Sequence, residues 1–183
     1  MHIEFLIEDK SGKESMEIMK RKLVDDNANC GFNHFKSVGH IPKNLKLGTA
    51  NTQSLLGNLP KLLQGYANTP GYDIIVVICD LDNRNKEEFL SELNGILANC
   101  NPKPNTIFCI AVKEFEAWYL GDVNAVLAAY PNANHQLLNE YHNEEIFGTW
   151  KTLADYIKKG ESTELKYPLI GERKSEWAKK NKP

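Results

Sequence analysis

Apolar residues fall along this chain in two alternating patterns, short continuous runs and longer amphipathic stretches, which together predict strands separated by helices. The first run, His2–Ile7, carries Ile3, Phe5, Leu6 and Ile7. The clearest, residues 74–79, contains five consecutive aliphatic residues, and residues 106–112 form another. Runs of this kind belong to strands covered on both faces, as in a parallel sheet. A second, poorer strand is expected within residues 32–41. Between the runs, Ser11-Gly12-Lys13-Glu14 has the capping-box form and opens a helix with Met16, Met19 and Leu23 on one face. Residues 51–66 place Leu55, Leu56, Leu59, Leu62 and Leu63 at helical spacing, with Pro60 expected to kink or restart the helix. Lys86–Ala98 is strongly patterned, with Phe89, Leu90, Leu93, Ile96 and Leu97 inward. Further helices are expected at 114–120, at Val123–Ala129 behind a capping Asp122, at 144–159 before Gly160, and briefly at 175–180 after an irregular stretch.

This order predicts an α/β fold: a Rossmann-like sheet of about four mostly parallel strands flanked by helices, with a helical C-terminal extension. The expected division is residues 1–122 for the α/β domain and residues 123–183 for the extension packed on it. The 183 residues suffice for a substantial core. No apolar run has the length of a membrane span, and the N-terminus lacks a signal-peptide pattern. Cys30, Cys79, Cys100 and Cys109 are scattered without metal-type spacing and read as reduced thiols of a cytoplasmic protein. His135 and His142 lie in a polar loop and make no zinc pattern.

Net charge is −2 but unevenly spread: residues 151–183 hold nine Lys or Arg against five Asp or Glu, a local +4, which leaves −6 for residues 1–150. Solvated helix faces explain such an excess more often than partners do, yet a basic tail beside an acidic site could also hold a polyanion.

The acids sharpen that possibility. The first strand ends in Glu8-Asp9, the third in Asp80-Leu81-Asp82, and the fourth leads into Glu114-Phe115-Glu116. Three strands thus deliver carboxylates to one edge of one sheet, where α/β proteins bind ligands. Like charges gathered there repel unless a cation is bound, and carboxylates suit a hard divalent ion. An extended chain would point Asp80 and Asp82 the same way; the plainer alternative is that they cap the next helix. Glu114 and Glu116 diverge by about 200° once helical, so one of them, preferably Glu116, is the principal ligand. Lys10 and Lys13 flank the same edge, and the helix start around Ser11 to Lys13 favours phosphate, although Lys13 reads equally well as a solvated lysine.

The spacing of Glu8, Asp80 and Asp82 resembles the TOPRIM domain, named for topoisomerases and primases, with a glutamate after its first strand and an Asp-x-Asp after its third. The segment Glu114-Phe115-Glu116-Ala117-Trp118 and the lysine-rich Lys174-Ser175-Glu176-Trp177-Ala178-Lys179-Lys180 are similar to those of a bacterial TOPRIM-like subgroup. One departure is Asp9, where the family commonly has glycine directly after the glutamate; glycine arrives here at Gly12. The resemblance implies Mg²⁺-dependent (or Mn²⁺-dependent) phosphodiester chemistry on nucleic acid. Glu8, Asp80, Asp82 and Glu116 would be catalytic, and these four with Glu114 would be metal ligands. Lys10, Ser11 and Lys13 would bind phosphate, and Lys174, Trp177, Lys179 and Lys180 would contact nucleic acid. A nuclease role in mobile-element or phage defence, an ATPase partner and homo-oligomers are also compatible with it.

Rival readings remain open. A haloacid-dehalogenase-type phosphatase would carry its Asp-x-Asp after the first strand, and no P-loop or Gly-x-Gly-x-x-Gly follows any strand. A non-catalytic, regulatory TOPRIM-like protein acting with a partner ATPase is the main competitor. Of the tryptophans, Trp118 reads as core, and Trp177 is the one expected to reach a base, unless it packs on the domain.

Overall fold

The computed structural model describes residues 1–42, 53–141, 148–166 and 169–180. Four strands, β1 (His2–Ile7), β2 (Asn29–His34), β3 (Ile74–Asp80) and β4 (Thr106–Ala111), form one sheet in the order β2-β1-β3-β4. All three pairings are parallel, with Phe5 opposite both Phe32 and Val76. The fold is therefore α/β, and its central strands β1 and β3 are buried along nearly their whole length, as coverage on both faces requires.

One face is covered by α2 (Leu55–Ala67) and α3 (Lys86–Ala98), whose leucines and Phe89 pack on Leu6, Ile75, Val77 and Cys79. The other is covered by α1 (Lys10–Leu23), through Met16 on Ile3, Phe5, Ile7, Val76 and Ile78. Helix α2 continues through Pro60 without interruption. Beyond β4 come α4 (Ala117–Leu120), α5 (Val123–Ala129), α6 (His135–Asn139), α7 (Thr149–Ile157), α8 (Glu161–Glu164) and α9 (Leu169–Lys180). These gather a third core from Leu120, Val126, Leu138, Leu153, Ala154 and Trp177.

Several boundaries differ from expectation. Strand β2 begins at Asn29 rather than within 32–41, because its extent is set by pairing with β1 and not by its own polar sequence. Its Gly31 sits close against Glu4: a Cβ there would lie 2.0 Å from Glu4 Oε2, which would have to move. Helix α1 starts earlier than the Ser11 box suggested, since Asp9 is the cap. Helix α9 is longer than residues 175–180, and α6 and α8 were not expected. The first part of the 144–159 helix lies outside the described residues.

The face that α9 turns inward carries Arg173, Lys174, Trp177 and Ala178 at helical spacing. Trp177 is 0% exposed, a core residue and not a surface stacking platform. Trp177→Ala is expected to cost about 3–5 kcal/mol in urea denaturation, whereas a surface tryptophan would cost within about 0.5 kcal/mol.

Candidate metal centre

Glu8, at the end of β1, lies partly buried between its neighbours. Its backbone N–H donates to Ile78 O (3.1 Å), and its Oε2 accepts the N–H of Asp80 (2.9 Å). The two acids of β1 and β3 are thus locked side by side. Glu116, at the start of α4, completes the group from β4 and is only 3% exposed. Glu8, Asp9, Asp80 and Glu116 line a small cavity of about 10 Å³ floored by Ile7, Ile78 and Phe115, into which α9 inserts Lys174. Gly12 lets α1 approach this closely, since a Cβ there would meet Ile7 Cγ2 at 2.9 Å.

Withdrawal from water dominates the electrostatics. Burial pushes the Glu8 carboxyl up from 4.5 to about 7, helped by the charges of Asp82 and Asp9 and opposed by the Asp80 N–H and Arg84. Asp80 is raised well above its ordinary value by burial and then by Glu8 and Glu116. Burial raises Glu116 as well, against the pull of Lys174. Burial disfavours the charge on Lys174, yet Glu116, with Asp9 and Asp80 behind it, more than restores it, and its pKa is raised. The Lys174 Nζ lies 3.0 Å from Glu116 Oε1, while Glu116 Oε2 is buried without a hydrogen-bond partner.

Asp82 does not align with Asp80. The chain turns at Asp82 with a positive φ of 51°, its N–H donating to Lys113 O (3.0 Å), and the side chain is 47% exposed beside Arg84 at 3.5 Å. Asp82 belongs to the rim, near enough for its charge to act on Glu8. Neither aspartate caps α3; Asn85 does, accepting from Glu88 N (3.0 Å). The helix-cap alternative for Asp80-Leu81-Asp82 is thereby removed.

Glu114, expected as a metal ligand, points elsewhere. Its Oε2 accepts from Thr149 Oγ1 (2.9 Å) and Trp150 N (3.1 Å), so it caps the first turn of α7. The expected phosphate-binding turn is filled by the chain itself: Asp9 accepts from Gly12 N (2.6 Å) and the buried Ser11 hydroxyl (2.7 Å). Lys10 and Lys13 pair with Glu14 and Glu17, both at 3.7 Å. Lys10 and Ser11, with Lys36 and Lys179, line a groove of about 830 Å³ that shares Asp9 with the small cavity, and Glu14, Glu172 and Glu176 line it too. Of the tail residues expected on nucleic acid, Lys179 pairs with Glu14 (3.8 Å) and Lys180 lies 5.3 Å over the Tyr130 ring. Lys174 is inside the site, and Trp177 in the core.

Hard oxygen donors with one unpartnered carboxylate oxygen suit Mg²⁺ or Mn²⁺ chemically. Among the described residues, however, no three acidic, histidine or cysteine side chains form a ready-made cage, and the ammonium of Lys174 supplies the positive charge at Glu116. The sequence points neither to Asp9 as the cap nor to Lys174 in the acidic cavity, since it puts Lys174 on nucleic acid. Asp9 had a local signal, an aspartate three residues before Gly12; Lys174 had none, because its contact is long-range.

No family model, curated protein or solved structure matches this chain.

A carboxyl with a raised folded-state pKa stabilises the fold fully below its unfolded value and loses that contribution as pH rises through its folded value. For Glu8 the window is about pH 4.5 to 7, and the loss is at most about 3 kcal/mol. Without divalent cations, Glu8→Gln, which can still accept the Asp80 N–H, is expected to flatten the fall in stability between pH 4.5 and 8. It should also be more stable than the wild type at pH 8 in urea titrations. Glu114→Ala is expected to cost about 1 kcal/mol through the lost cap and to leave divalent-cation binding, measured calorimetrically, unchanged.

Proposed function

We propose that this chain is a TOPRIM-like, divalent-cation-dependent nuclease acting on phosphodiesters, with Glu8, Asp80 and Glu116 as its cation-holding residues and Asp82 contributing from the rim. The observation that carries this reading is that three strand ends bring partly or fully desolvated carboxylates around one cavity at the carboxyl edge of a parallel sheet. Such a gathering is electrostatically unfavourable without positive charge. Buried acids with shifted pKa values, held together in a cleft, are candidates for a functional site.

When bound, Mg²⁺ or Mn²⁺ would stabilise the attacking and leaving oxygens of an in-line displacement. The chain's own residues do the rest. The Asp80 N–H holds Glu8 in place, so its carboxylate is oriented before any ligand arrives. Phe115, Ile7 and Ile78 exclude water from beneath them. The adjoining groove offers room for a substrate strand, but its lysines face several acids. Affinity for a polyanion would therefore depend on the bound cation more than on a basic track. A water molecule is the attacking group in this reading: Tyr119, three residues on from Glu116, is largely buried, hydrogen-bonded with Ser15, and has its hydroxyl pushed above its ordinary pKa by burial.

The alternative, a non-catalytic regulatory protein working with a partner ATPase, is favoured by one observation: Lys174 already neutralises Glu116. The two readings separate in a cleavage assay. Plasmid DNA, single-stranded DNA and RNA are incubated with the chain and Mg²⁺ or Mn²⁺. At least one substrate is expected to be cut, with a loss of at least 100-fold in both Asp80→Asn and Glu8→Gln. Undiminished cutting by both variants would contradict the proposed site, and no metal-dependent cutting under any condition would favour the regulatory reading.

A further inference from the structure

The positive charge inside the acidic cavity comes from the chain itself. Lys174 Nζ lies 3.0 Å from Glu116 Oε1, and the two side chains are 16% and 3% exposed. Glu116 is only half satisfied, because its Oε2 is buried without a partner, a costly state for a carboxylate oxygen. The cavity they share with Glu8 and Asp80 measures about 10 Å³, space for a single water at most. A magnesium ion keeps several of its own waters and demands six oxygens around it, so it and the ammonium do not fit there together. Two positive charges in contact at a desolvated site would also repel strongly.

Lys174 has somewhere to go. Its flexible four-carbon stem rises from α9 between Gly171 and Ser175, two residues that line the adjoining groove of about 830 Å³, where Asp9, Glu172 and Glu176 offer negative charge. Trp177, one turn further on, anchors α9 in the core, so the side chain can swing while the helix stays docked.

We propose that Lys174 holds the cation's place in the metal-free chain, and that a divalent cation binds by displacing the Lys174 ammonium from Glu116 into the groove. The inference rests on the reading of Glu8, Asp80 and Glu116 as a cation site. It makes metal loading an exchange of one cation for another and gives the C-terminal helix a direct part in metal affinity.

The test is amine acylation of the wild-type chain with acetic anhydride at pH 8, mapped by peptide mass spectrometry with and without saturating Mg²⁺. Lys174 is expected to be protected without metal and modified at least tenfold more with it, while the exposed Lys86 does not change. In calorimetric titrations, Lys174→Met, which keeps the stem, is expected to bind Mg²⁺ at least tenfold more tightly than the wild type, and Lys174→Arg is not. The labelling uses the wild-type chain, so it stands even if a variant fails to fold. Mg²⁺ binding by the wild type with Lys174 still protected would overturn the displacement and leave the cation site intact. Absence of Mg²⁺ binding by both the wild type and Lys174→Met would overturn the cation site, and the displacement with it.

Discussion

Carboxylates taken out of water at the ends of parallel strands need a positive charge, and the arrangement of this protein follows from how that need is met. The parallel order β2-β1-β3-β4 puts the carboxyl ends of all four strands on one edge. The chain places Glu8 and Asp80 on the two central strands and brings Glu116 in from the fourth. The Asp80 N–H satisfies one oxygen of Glu8. Neutral hydrogen bonding goes no further, because Glu116 keeps one oxygen with no partner.

The C-terminal helix answers this demand. Of its basic residues, which in the sequence look like a solvated or polyanion-binding tail, Arg173 and Lys174 turn inward while Lys179 and Lys180 stay exposed. Arg173 pairs with the buried Glu161 at 2.6 Å, Lys174 with Glu116, and Lys179 with Glu14 of α1. Removing either partner of a buried pair leaves the other charge stranded, which is far more costly than the pair's net contribution. Helix α9 is therefore held by two things at once, the apolar burial of Trp177 and the charge need of the site. Among the described residues, Lys174 and Lys179 pair with acids outside residues 151–183, so part of the local +4 is met within the chain.

Elements whose shape is dictated by their own residues were legible in the sequence. Strand β1, α3 and α5 have their expected bounds, because a short apolar run, helically spaced apolar residues and a capping Asp122 leave little competition. Strand β2 was misplaced because an edge strand reading Asn-Cys-Gly-Phe-Asn-His is defined by the neighbour it pairs with. Short helices such as α8 depend on tertiary partners, here Asp155 accepting from Ser162 N (2.9 Å). In the site, the strand-end positions of Glu8, Asp80 and Glu116 could be read, and so could the divergence of Glu114 from Glu116. The turn at Asp82 breaks the period-two argument. The destination of Glu114 and the arrival of Lys174 are matters of long-range packing, which no local pattern records.

The central claim is that this acidic edge is a divalent-cation site now balanced by an internal lysine. Calorimetric titration of Mn²⁺ into the wild type and Asp80→Asn at pH 8 tests it most directly. Saturable binding by the wild type is expected, with affinity at least tenfold lower in Asp80→Asn; equal affinity in the two, or no binding by the wild type, would contradict a divalent-cation site at this edge.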